Sequence, residues 1–100
     1  MYGMIGKMTA TAGNRDALIE VLLRGITEMP GCLSYVVARD PAAEDVIWIT
    51  EAWDTQASHA ASLQLPSVQA AISQALPLIA GMEQVAETAP AGGHGLVAGA

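Results

Sequence analysis

Both tryptophans of the chain, one of its two histidines and two of its ten acidic residues fall between Trp48 and His59. Glu51 alternates with Ile47, Ile49 and Trp53, so on a strand these four side chains share one face. A carboxyl placed among apolar neighbours loses water, and its pKa rises unless a cation or a donor meets it. His59 opens a segment of helical pattern that must pack back on that strand. An imidazole there could move a proton near neutral pH, as general acid/base work on a phenol or an enol requires. His59 and Glu51 are therefore the candidate catalytic pair, with Glu51 or Tyr35 as an orienting group. Trp53, Trp48, Tyr35, Met8 and Leu63, with Met4, are candidate walls of a substrate site. The same residues admit plainer roles: the tryptophans as core fillers, Glu51 as a partner for an Arg or Tyr, His59 as a solvated helix residue.

Other chemistries find little support. His59 and His94 are the only histidines and Cys32 the only cysteine, with no CxxC or HExxH spacing, so no dedicated metal site is expected. Gly92-Gly93-His94-Gly95 superficially resembles a phosphate loop, but no helix follows it to supply N–H donors. Cys32 has no cation beside it in sequence and reads as a small packed residue. A lone cysteine forms no internal disulfide, which suits a reducing compartment.

The elements that must position the cluster are legible from periodicity. Tyr2 to Thr11 alternates weakly and reads as a strand, which Gly13-Asn14 breaks. Leu18, Val21, Leu22, Ile26 and Met29 then fall at helical spacing, with Asn14 as N-cap, Asp16 in the first turn and Pro30-Gly31 as the stop. Cys32 to Asp40 and Val46 to Trp53 alternate and form a hairpin across an acidic loop. Asp54-Thr55 caps a short helix through His59 to Leu63, Pro66 starts another, and Pro77 bends or ends it. Gly81 stops the run, and Met82 to Thr88 makes a last short strand. The order β-α-β-β-α-β predicts a ferredoxin-like α+β fold, an antiparallel four-stranded sheet with its helices on one face. That domain spans residues 1–89; residues 90–100 are Gly/Ala-rich and read as a flexible tail.

Both faces of the central hairpin are largely apolar, and helices cover only one of them. A homodimer packing two sheets face to face would bury the other. Of 100 residues, 52% are hydrophobic and 14% charged, which describes a folded chain. Four Lys+Arg against ten Asp+Glu give a net charge of −6, so nucleic acid is repelled. No apolar run approaches the roughly 20 residues of a membrane span. Met1-Tyr2-Gly3-Met4 lacks the basic and apolar regions of an export signal, and a cytoplasmic location is expected. Thr55 through Met82 holds no Lys, Arg, Asp or Glu. A stretch of helical pattern without charge either covers a cavity, meets another subunit, or is an Ala/Ser/Gln-rich surface helix.

Three segments carry a family resemblance: Pro30-Gly31-Cys32-Leu33-Ser34-Tyr35, Glu51-Ala52-Trp53-Asp54 leading into a helix, and Leu65-Pro66-Ser67. With the length of the chain they resemble the antibiotic biosynthesis monooxygenase (ABM) family of dimeric α/β barrels, from Tyr2 to Thr88. The resemblance implies a homodimer with a pocket in each subunit between sheet and helices. Members of the family include cofactor-free oxygenases that convert quinols or anthrone-like polyphenols to quinones, haem-degrading enzymes, and an isomerase of a phosphorylated signal. Trp53 falls on the family's recurrent tryptophan. Many quinol-oxidising members carry histidines where this chain has Ser62 and Ser67, and His59 lies one helical turn before Ser62. No histidine stands in the later helix to ligate haem iron.

The expected function is cofactor-independent oxidation of a small aromatic phenol or quinol to a quinone. Its partners would be O2, the aromatic substrate and a second copy of the chain, with no metal, organic cofactor, nucleic acid or membrane. A non-catalytic ligand-binding or stress-related homodimer of the same fold, or a small-molecule isomerase, are the alternatives. The isomerase would want cations at its pocket.

Overall fold

A computed structural model describes residues 1–96. Its elements run β1 (Tyr2–Ala10), α1 (Arg15–Gly25), β2 (Cys32–Arg39), β3 (Val46–Trp53), α2 (Gln56–Ser62), α3 (Pro66–Ala75), a 3₁₀ turn (Leu76–Leu78) and β4 (Ile79–Thr88). The strands form one antiparallel sheet in the order β2-β3-β1-β4. This is the ferredoxin-like α+β arrangement expected from the sequence. None of the described helices is long and apolar enough to cross a membrane.

The core lies between the sheet and α1. Ile47 and Ile49 of β3 meet Leu18, Ile19 and Val21 of α1, with Ala10 and Ala75 filling the gaps between them. Each large aliphatic side chain fully buried this way stabilises the fold by about 1.5–3 kcal/mol. Helices α1 and α3 lie side by side, and Gly25 allows their close approach: a Cβ there would collide with that of Ala71.

Three boundaries differ from the periodic reading. Helix α1 ends at Gly25, so Ile26 and Met29 belong to the connection that follows, where Glu28 adopts a positive φ of 54°. Asn14 precedes α1 without capping it through its side chain. Its amide instead donates to Thr11 Oγ1 at 2.8 Å. Strand β4 starts at Ile79, and Gly81 lies within it, paired with Thr9. Glycine lowers strand stability without forbidding ladder bonds, and pairing along β1 prevails over the local break. Of the tail, residues 97–100 lie outside the described residues, and Pro90 to Leu96 form neither helix nor strand.

The β2–β3 connection is pinned from outside the hairpin. Arg15 Nη1 donates to the carbonyls of Asp40 and Ala43 at 3.1 and 3.0 Å. Asp40 Oδ1 accepts from the backbone N–H groups of Ala42 and Ala43, and its Oδ2 accepts from Trp48 Nε1 at 2.8 Å. Donation by Trp48, then by these two amides, lowers the pKa of the Asp40 carboxyl.

Candidate functional site

Strand β3 supplies the floor of the site. Its residues Ile47, Ile49, Glu51 and Trp53 point toward the helices and are all buried. The register sets Met4 of β1 and Tyr35 of β2 on either side of Glu51, and Met8 beside Ile47. Above this floor lies a cavity of about 510 Å³ between sheet and helices, within the size range of small-molecule sites. Its lining is overwhelmingly apolar and includes Met8, Tyr35, Glu51, Trp53, His59 and Leu63. The charge-free stretch forms its mouth, where Leu63, Ile72, Leu76 and Met82 are exposed.

The geometry around His59 begins in the connection between α1 and β2. Gly31 has φ +84°, and its carbonyl accepts from the Asp54 N–H at 2.9 Å. A Cβ at Gly31 would stand 2.5 Å from Asp54 Oδ1 and 2.6 Å from the Ser58 Cβ and Oγ. Glycine is required both for the left-handed backbone and for this approach. Thr55 Oγ1 then caps α2 by accepting from the Ser58 N–H at 3.1 Å. The turn before β2 and the exit of β3 thus meet, and together they aim α2 back over the sheet.

His59 arrives between two aromatic rings. Its centroid is 5.4 Å from that of Trp53, edge to face, and 5.4 Å from that of Tyr2 in a tilted arrangement. His59 Nε2 lies 3.7 Å from Glu51 Oε1, an electrostatic contact longer than a hydrogen bond. Trp53 Nε1 donates to that same Oε1 at 3.0 Å. Burial raises the Glu51 carboxyl above its ordinary value, opposed by the Trp53 hydrogen bond and by His59. Burial also pushes the Tyr35 phenol well up, with the Glu51 charge adding to it, so Tyr35 stands as a neutral hydroxyl.

Of the residues expected at the site, Glu51, His59, Trp53, Tyr35, Met8 and Leu63 all line one cavity. Trp48 does not join them. It alternates with Ile47 and Ile49, so it projects from the opposite face of the sheet, where its indole is held by Asp40 and covered by Lys7 Nζ, 5.5 Å from the ring centroid. Asp54 also stays outside, occupied at the start of α2. Tyr2 was not among the expected residues, although it pairs with Trp53 across the ladder and its hydroxyl donates to Glu87 Oε1 at 3.1 Å. Its parity with Met4 and Met8 was the available signal. Ser62 lines the cavity, and its hydroxyl donates to the His59 carbonyl at 2.6 Å, a bond within α2. Among the described residues no three His, Cys, Asp or Glu side chains gather as a metal site. Burial raises the Cys32 thiol, the state of a packed rather than a reactive cysteine.

Fold and cavity together define a ferredoxin-like domain with an apolar cavity between sheet and helices, on which Glu51 and His59 converge. The antibiotic biosynthesis monooxygenase family model matches residues 1–74, and the chain belongs to that family. A solved structure from Chloroflexus aurantiacus that bears the family's name is 62% identical, with a TM-score of 0.92 over 96% of this chain and 98% of that one. A Deinococcus radiodurans structure of the same designation is 25% identical, with a TM-score of 0.77 over 93% of this chain and 95% of that one. One from Nitrosomonas europaea shares the fold at 15% identity, with a TM-score of 0.81 over 91% and 99%. Among curated proteins none matches the chain.

Proposed function

We propose that the protein oxidises a small aromatic phenol or quinol to a quinone with O2, using the substrate's own phenolate as the electron source. The observation that carries this reading is the convergence of Trp53 and His59 on one oxygen of Glu51 at the wall of an apolar cavity. A carboxylate raised by burial is a stronger proton acceptor than one at the surface, and Glu51 stands at the cavity wall. Met8, Tyr35, Trp53 and Leu63 would enclose the ring and keep water away.

In this scheme Glu51, assisted by His59, takes the hydroxyl proton. The phenolate transfers electrons to O2, and a carbon–oxygen bond forms at a ring carbon that bears hydrogen. The proton returns from the pair to the distal oxygen of the resulting peroxide. The oxygen–oxygen bond then breaks as the ring carbon loses its hydrogen, leaving a carbonyl. Overall, phenol and O2 give quinone and water: one oxygen atom enters the ring, the other leaves as water with the ring and hydroxyl hydrogens.

The working form would be a cytoplasmic homodimer. The pairing is supported by the sheet face away from the helices, where Val36 is exposed and Ile5, Val46 and Trp48 are only half-buried.

Oxygen uptake with a panel of quinols and anthrones tests the activity. Quinone should appear in step with O2 consumed, and His59→Ala should lower kcat/KM by about 10²-fold or more, with unchanged circular dichroism and elution volume. No uptake across the panel would reduce the protein to a non-catalytic binder. Full activity of the His59 variant would remove that residue from the mechanism.

A further inference from the structure

The charges around the cavity restrict what it can hold. The chain has four cationic residues, Lys7, Arg15, Arg24 and Arg39. Lys7 borders the cavity from β1, but its ammonium lies over Trp48 on the far side of the sheet. Arg15 is committed to the β2–β3 loop carbonyls and Arg39 to Asp16, at 3.0 Å. Arg24 is exposed in the last turn of α1 and does not line the cavity. No lysine or arginine head group is therefore turned toward the site.

The hydrogen-bond inventory points the same way. Among the donors lining the cavity, the Trp53 N–H is spent on Glu51 Oε1 and the Ser62 hydroxyl on the His59 carbonyl, which leaves the neutral Tyr35 hydroxyl as an uncharged donor. His59 also faces Oε1. Every buried side-chain polar atom among the described residues has a partner, so Glu51 Oε2, which takes no described hydrogen bond, is the oxygen left accessible from the cavity. An anion entering here would give up its water and meet a carboxylate instead of a counter-ion. A ligand O–H or N–H would find a free acceptor and form a charge-assisted hydrogen bond.

We infer that Glu51 makes the cavity selective by charge: it admits aromatic ligands that bear no negative charge and donate a hydroxyl or amine hydrogen to Glu51 Oε2, and it excludes carboxylates and phosphate esters. This rests on the reading of the cavity as the substrate site and adds to it the residue that sets specificity. It also separates this chain from isomerases of phosphorylated compounds, which must neutralise a phosphate.

Calorimetric titration at neutral pH with four probes of one bicyclic frame decides the matter: 2-naphthol, 2-naphthylmethylamine, 2-naphthoate and 2-naphthyl phosphate. In the wild-type protein the naphthol and the amine should bind at least about ten-fold more tightly than the two anions. In Glu51→Gln the amine should weaken and the gap between naphthol and naphthoate should shrink. Anions bound as tightly as naphthol would overturn the charge selection and leave the cavity standing as a ligand site. Failure of all four probes to bind would overturn both. Undiminished discrimination in Glu51→Gln would overturn the part assigned to Glu51. Should that variant not fold, the wild-type comparison alone decides the selectivity.

Discussion

Trp53 Nε1 donates to Glu51 Oε1 at 3.0 Å from two positions along the same strand, so the residue that closes β3 also restrains the acid at the centre of the cavity. The strand's period of two places both side chains on the helix face, and the indole reaches back to the carboxylate. Trp53→Phe keeps most of the ring contact and removes the donor. A buried carboxylate deprived of one partner should cost about 1–3 kcal/mol, read from urea unfolding. Trp48→Phe lies on the other face and should leave kcat/KM within about two-fold, because it exchanges a side chain whose hydrogen bond goes to Asp40. Equal loss of activity in the two variants would contradict this division between the faces.

The Glu51 carboxyl is raised by burial from 4.5 in the folded protein. A raised folded pKa means that the folded state favours the protonated form. That contribution to stability is complete below the unfolded value and is lost as pH climbs through the folded value. Glu51→Gln has no such loss, and its amide oxygen can still accept from Trp53. The melting temperature of the variant minus that of the wild type should therefore be small near pH ~4 and grow more positive toward neutrality. A difference independent of pH would show that burial of this carboxyl is not what separates the two proteins.

Gly31→Ala combines a positive φ with a Cβ that would press on Asp54 and Ser58. The expected cost is about 1–3 kcal/mol, seen as a lower melting temperature. Because the same contact aims α2, turnover should fall further than unfolding accounts for at the assay temperature. An alanine variant with wild-type stability would show that the two turns are not in contact as described.

Gly25→Val would force α1 away from α3 at Ala71. Overpacking of this kind typically costs about 1–3 kcal/mol, and a shift of α3 should also weaken 2-naphthol binding, since Val68 and Ile72 line the cavity. Chemical denaturation and calorimetry read the two effects separately.

Much of the arrangement was legible in the residues because it follows from local periods. The alternation from Val46 to Trp53 placed Glu51 and Trp53 together on the face of Ile47 and Ile49, and it also placed Trp48 opposite them. Trp48, expected as a pocket wall, follows that parity and lies on the other face, held by Asp40. Helical spacing through Met29 suggested a longer α1 than the chain forms. The apolar pattern continues past Gly25, but Ile26 and Met29 reach the cavity from a connection, not a helix. Tyr2 shares the strand parity of Met4 and Met8, which marks a face of the sheet but not a role. Its meaning comes from Trp53 across the ladder and His59 above it.

The sequence by itself determined the order of elements, the apolar face of β3, the small number of cations and the uncharged stretch from Thr55 to Met82. These properties depend on residue type and on periods of two and 3.6, which act over a few neighbours. Only the tertiary structure decided that His59 meets Glu51. That meeting requires Gly31, distant in sequence, to admit Asp54 and Ser58 so that α2 turns back over the sheet. It likewise decided that His59 faces the same Glu51 oxygen that Trp53 holds, because the approach of α2 to β3 is encoded by no local pattern.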